Sequence, residues 1–189
     1  MGQGRSDKVR SKPVTEAYLE RAALHYLGRF SSSYANLLRV LERKIRRRNE
    51  DNCEPTSEQQ IWLTAVADKC VEYGYVDDSV YARQRLSGLL RKGKPLRVIA
   101  QDLHHKGVPG DIVAVVLDEA QSDPTKDVDL VAAASYVRRR RFGAFRRTDK
   151  ASEEKIEKEK AAMMRAGFPY RLVIQVMKFS EDELLTLLP

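Results

Sequence analysis

Cysteine is scarce: Cys53 and Cys70 are the only two in 189 residues. Two thiols cannot staple a secreted disulfide scaffold, and they lack the C-x-x-C spacing of a zinc site. Long apolar runs are absent too. No stretch approaches the ~18 consecutive apolar residues that a membrane span needs. Met1 to Lys12 is basic and polar with no apolar run behind it, unlike a signal peptide. The expectation is a cytoplasmic protein with no membrane partner. Histidine is rare, with three residues. His104 and His105 are adjacent and leave a helix in different directions, whereas helical metal ligands want i, i+4 spacing; His25 stands alone. No G-x-S-x-G elbow and no G-x-x-x-x-G-K-[ST] phosphate loop occurs. We therefore expect no metal, no cofactor and no catalytic residue: the chain is read as a non-enzyme.

What is present is charge, in blocks. The net charge is +7. Residues 1–48 carry +8, 49–80 carry −7, 81–110 carry +6, 111–130 carry −5, 131–150 carry +6 and the rest −1. Alternating blocks suggest repeated units, each with a basic and an acidic side.

Helical periodicity runs through the chain, and no alternating runs flank a hairpin turn. Thr15 caps a first helix reaching Gly28, with Leu19, Ala23 (or Ala22), Tyr26 and Leu27 inward. Ser31 to Ser33 open a second, with Leu37, Val40 (or Leu41) and Ile45 inward, ending in Arg46 to Arg48. After a polar break, Ser57 caps a third, with Ile61, Ala65 (or Leu63), Val66, Cys70 and Tyr73 inward. Asp77 and Asp78 open a fourth through Leu90. Pro95 starts a fifth, Pro109 a sixth, Asp127 a seventh closing in Arg138 to Arg141, Ser152 an eighth, Pro169 a ninth, and Ser180 a short tail helix. Trp62, Tyr18, Tyr26 and Phe30 fit cores.

Two segments share one chemistry at an offset of 60 residues: Leu103 to Pro109, and Met163 to Pro169. Each is a helix end, a glycine, an apolar residue and a proline. Gly107 and Gly167 fit the left-handed position of a Schellman cap, so Val108 pairs with Leu103 and Phe168 with Met163. Gly74 offers the same cap, pairing Tyr75 with Cys70. A second register relates Ser33, Leu37 and Leu41 to Pro95, Ile99 and Leu103 at an offset of 62. The period is about 60 residues with three helices per unit, and such units stack. The expected architecture is all-α: three tandem three-helix repeats in an elongated, curved modular body. Residues 1–14 form a flexible basic tail, 15–76 the first repeat, 77–122 the second and 123–189 the third.

These residues resemble the RecX family, regulators of the RecA recombinase. The most specific match is Gly74-Tyr75-Val76-Asp77-Asp78, with Tyr81-Ala82 and Arg85, then Gly93, Pro95, Arg97, Ile99, Leu103 and Lys106-Gly107-Val108. The first repeat matches through Arg29, Ser32 (or Ser33), Leu37, Leu41, Arg43 and Lys44. The third matches through Tyr136, the arginine run and Ala166-Gly167-Phe168. The resemblance spans about residues 15–180. It implies a protein that lies in the groove of the RecA–DNA filament and restrains strand exchange and coprotease activity in DNA repair and the SOS response; a monomer is expected. Its partners would be the RecA filament and single-stranded DNA, with duplex DNA a further candidate. The chain departs from the family pattern where Ile45 to Asn49 replace a Lys-Gly cap, and where residues 142–154 lengthen the third repeat.

Basic side chains are the candidate contacts. Arg83, Arg85, Arg91, Lys92, Lys94 and Arg97 straddle the turn between the fourth and fifth helices. Arg138, Arg139, Arg140 and Arg141 close the seventh, with Arg146 and Arg147 nearby; Lys106, Arg43 and Lys44 complete the set. Guanidinium forks suit phosphate and carboxylate oxygens alike. Each also has a plain role as a solvated helix end that complements the dipole. Phe142 and Phe145, amid arginines, are candidates to stack on bases. Asp77 and Asp78 follow a glycine stop and precede a helix, so capping suits them better than metal or acid–base work. The acidic stretches read mostly as solvated faces. Three-helix units with basic turns also fit a helix-turn-helix transcription regulator, which would bind a preferred duplex sequence as a dimer.

Overall fold

The computed structural model describes residues 13–125, 127–147 and 152–188, and every regular element among them is helical. The basic tail read at residues 1–12 lies outside the described residues. The helices are α1 (Glu16–Leu27), α2 (Tyr34–Arg46), α3 (Ser57–Glu72), α4 (Asp78–Arg91), α5 (Leu96–His105), α6 (Gly110–Gln121), α7 (Val128–Arg140), α8 (Glu153–Arg165), α9 (Tyr170–Val176) and α10 (Glu181–Thr186), with short 3-10 turns at Glu50–Asn52 and Gly143–Phe145. The chain divides into two compact units, residues 1–78 and 79–189.

In the first unit α3 packs on α1 and α2. Leu19, Ala23, Leu37, Leu41, Ile45, Val66 and Ala67 form its core, with Trp62 half-buried beside it. Thr15 and Ser33 cap α1 and α2 through their hydroxyls. Three expectations shift here. Thr56, rather than Ser57, caps α3, because Gln59 stands three residues after it and closes a reciprocal capping box. Ile61 is 68% exposed, since the buried stripe of α3 is Leu63, Val66, Ala67 and Cys70, and Tyr73 lies past the last turn. Phe30 is exposed as well, stacked on Tyr26 beyond the end of α1.

The second unit holds two cores. Tyr81, Ala82, Leu86, Leu96, Ile99, Leu103, Val108, Val113 and Val116 of α4 to α6 make one. Ala132, Ala133, Tyr136, Val137, Met163, Phe168, Leu172, Val173, Val176 and Leu184 of α7 to α10 make the other. Leu90, at the end of α4, packs against both.

The glycine caps have the expected bonding. The N–H groups of Tyr75, Val108 and Phe168 donate to the carbonyls of Cys70, Leu103 and Met163 at 2.8, 3.1 and 3.2 Å, the six-to-one bond of the Schellman motif. Val108 and Phe168 are buried over their partners. Tyr75 is not: it stands exposed with its ring edge-on to Tyr73, and Val76 takes the inner position.

Two aspartates cap helices other than their own. Asp78, the first residue of α4, accepts the N–H of Tyr34, the first residue of α2, at 2.8 Å. Asp129, in the first turn of α7, accepts the N–H of Leu96, the first residue of α5, also at 2.8 Å. The residue before α5 is Pro95, whose side chain offers no acceptor. Asp129 supplies one, and thereby fixes the start of α7 against the start of α5.

Candidate nucleic-acid interface

The last turn of α4 carries Arg91, and the last turn of α7 carries Arg138 to Arg140. Positive charge suits both places, because helix C-termini expose unpaired carbonyls. The turn between α4 and α5 brings the two ends together. Gly93 has φ +65°, and a Cβ built there would lie 2.9 Å from the Ala132 carbonyl oxygen and 2.9 Å from the Tyr136 nitrogen. No other residue fits so close to the backbone of α7.

The result is an open groove of about 510 Å³ lined by Arg91, Ser135, Arg138, Arg139, Arg141 and Leu188. Among the described residues none of its four arginines forms an ion pair with a carboxylate. Beneath them lies Tyr136, buried and packed edge-on against Phe168 at 5.5 Å. The guanidinium carbons of Arg139 and Arg140 stand 6.0 and 5.9 Å from its ring centroid, within the range of cation–π attraction. Arg141 has left-handed backbone, φ 57° and ψ 50°. That conformation costs a residue with a Cβ about 1–2 kcal/mol.

The remaining candidates are placed differently. Arg83 donates from Nε and Nη2 to the carboxylate of Glu119 at 2.8 and 2.7 Å, and holds that carboxyl below its ordinary pKa. Arg85 grips Asp102 with the same two-pronged geometry. The bond lowers the pKa of Asp102, helped by the charges of Lys106 and His105, and raises that of Arg85. These two arginines clamp α4 to α6 and α5. Lys92 and Arg97 are exposed, and Lys94 and Lys106 half-buried; none of the four lines the groove. Arg43 and Lys44 belong to the first unit, on α2. Nearby, Arg46 pairs with Glu42 and Glu54, and Arg48 lies over the Tyr18 ring at 3.6 Å.

Arg146 was grouped by sequence with the basic cluster, but its side chain is only 11% exposed and pairs with Glu159, which is 4% exposed. Arg146 Nε donates to Glu159 Oε1 at 2.9 Å, and the Gly143 N–H donates to Oε2 at 3.1 Å. Burial pushes the Glu159 carboxyl up; these two partners outweigh it, and the pKa falls below the ordinary value. Glu159 lies three residues after Ile156 and four before Met163 on α8, so a carboxylate on the buried stripe was the available signal. Phe142 and Phe145 are half-buried and pack against the core of α7 to α10, Phe142 edge-on to Tyr136 at 6.1 Å. Cys70 is buried and Cys53 exposed. Among the described residues no group of three or more histidine, cysteine or acidic side chains is arranged to hold a metal ion, and no helix is long and apolar enough to cross a membrane.

Comparison with known proteins decides the family. The regulatory protein RecX of Myxococcus xanthus is 34% identical over 168 residues, covering 89% of this chain and 88% of the relative. This chain belongs to the RecX family. The RecX protein of Agrobacterium fabrum is 29% identical over 171 residues, covering 88% and 85%. The family model for the RecX second three-helix domain matches residues 77–117, which contain α4 to α6 almost entire. Among solved structures, a crystal structure of regulatory protein RecX matches with TM-score 0.59 at 17% identity, covering 87% of this chain and 72% of that one. RecX from Lactobacillus salivarius matches with TM-score 0.53 at 19% identity, covering 90% and 97%. The all-helical RecX fold is thus shared at low identity, and the curated relatives carry the name of a regulatory protein.

Proposed function

We propose that this member of the RecX family is a non-enzymatic, monomeric modulator that binds the RecA–DNA filament in the cytoplasm and restrains strand exchange and coprotease activity. The observation that carries the reading is the groove of Arg91, Arg138, Arg139 and Arg141, in which four cations converge and, among the described residues, none forms an ion pair with a carboxylate. Holding like charges together is unfavourable, and a polyanion relieves the repulsion. Membership in a family of regulatory proteins supports a binding role, and the acidic blocks at 49–80 and 111–130 offer complementary surface to basic patches on recombinase subunits.

Strand-exchange inhibition by the full chain tests this. Wild type should slow exchange. Arg91→Glu, Arg138→Glu and Arg139→Glu combined should lose most of that inhibition at low salt. A triple variant that inhibits as well as wild type, with the same salt dependence, would rule out the groove as a contact. A chain that instead binds one duplex sequence as a dimer, and leaves exchange untouched, would be a transcription regulator.

A further inference from the structure

Arg141 occupies a position that the chain fills with glycine elsewhere. At the ends of α3, α5 and α8 the left-handed residue is Gly74, Gly107 and Gly167, with φ of 71°, 77° and 101°. At the end of α7 it is an arginine at φ 57°. The cap bonding is otherwise of the same kind: the Phe142 N–H donates to the Val137 carbonyl at 2.9 Å. The conformation is held from both sides. Phe142 packs on Tyr136, and the next N–H, that of Gly143, is bound by the buried Glu159 carboxylate, whose other partner is Arg146. A strained residue persists only where its surroundings enforce it, and such residues concentrate at functional sites. Here the strain has a visible consequence: Arg141 lines the groove beside Arg91, Arg138 and Arg139.

We propose that Arg141 is a phosphate-binding residue, kept in left-handed conformation to turn a fourth guanidinium into a groove that takes the backbone phosphates of single-stranded DNA. The proposal rests on the nucleic-acid part of the function proposed above. The lining is four guanidiniums, one serine hydroxyl and one leucine, a set dominated by groups that meet phosphate oxygens. Binding there is therefore carried by phosphate contacts and strongly salt-dependent. Glu159 and Arg146 are positioning residues: they hold the segment after Arg141 and touch no ligand.

The position offers a variant that separates binding from folding. Arg141→Gly removes the guanidinium and places in the cap the residue that favours its backbone. Fluorescence anisotropy of a labelled oligo(dT), titrated with the full chain over a range of salt, reads the binding; thermal melting reads the fold. The expected result is an affinity for oligo(dT) reduced about tenfold at low salt, a log K against log salt slope shallower by about 0.7, and a melting temperature equal to wild type or higher. Arg141→Lys should recover part of the affinity. Unchanged oligo(dT) affinity and slope in Arg141→Gly would overturn the proposal. So would loss of RecA-filament binding with oligo(dT) binding intact, which would assign the groove to an acidic protein surface and leave the filament reading standing. Inorganic tripolyphosphate binding more tightly than an oligonucleotide with as many phosphates would also overturn it, in favour of a free-polyphosphate site.

Discussion

Glu159 and Arg146 show how far a charged residue's role departs from its neighbourhood in sequence. Arg146 follows a run of arginines and shares their chemistry, yet its partner lies 13 residues further on, inside a core. Arg83 and Arg85 likewise sit in a basic stretch, and their carboxylates lie 36 and 17 residues away. Such pairings depend on how helices pack, which local periodicity does not encode. The buried pair makes a definite prediction. Glu159→Gln leaves the Arg146 guanidinium buried against a neutral amide and should cost about 3 kcal/mol in chemical denaturation at pH 7. The pKa of Glu159 is lowered on folding, so its stabilisation is present above the unfolded value of about 4.3 and is lost as pH falls through the folded value. The variant should accordingly lose less stability than wild type between pH 5 and pH 3. A variant with an acid limb parallel to wild type would deny the pair its role. Arg83→Gln, by contrast, should leave oligo(dT) affinity unchanged, because that guanidinium already holds Glu119.

At the scale of elements, the local signals were the legible ones. Caps at Thr15, Ser33, Asp127, Ser152 and Ser180 and the glycine stops follow from the chemistry of one or two residues. Thr56 and Ser57 were confused because adjacent hydroxyls both qualify and only the Gln59 side chain separates them. The aspartate caps that reach across helices were invisible to that reasoning. Asp129→Ala should destabilise the second unit by about 1 kcal/mol, because it strips the Leu96 N–H of its acceptor. Asp78→Ala should act similarly on the first unit, while Asp78→Asn should cost little: burial raises the Asp78 pKa, so the charge itself is unfavourable there. The sign is opposite to that of Glu159, and lower pH strengthens this site as the carboxyl protonates. Denaturation of the three variants checks both claims, and an asparagine as damaging as alanine would refute the second. Gly93→Ala should be worse than either, since its Cβ meets the backbone of α7 at 2.9 Å where no side chain can yield. Loss of oligo(dT) binding together with lowered melting temperature is the expected result.

For the whole molecule, helical periodicity pointed to an all-α chain of packed units and the motifs from Gly74 to Val108 to the family; the helices bury three hydrophobic cores. Which basic residues act together was not legible, because the groove is assembled from the ends of α4 and α7, about 47 residues apart in sequence, through one glycine turn. The central proposal is that this chain prefers a recombinase filament over bare nucleic acid. The measurement that tests it most directly is binding of the labelled full chain to preformed RecA filaments on single-stranded DNA, beside naked single-stranded and duplex DNA at the same salt. We predict clear preference for the filament, weaker and steeply salt-dependent binding to naked single strands, and inhibition of strand exchange over the same concentrations. Equal or tighter binding to naked duplex, with no preference for the filament, would contradict the account.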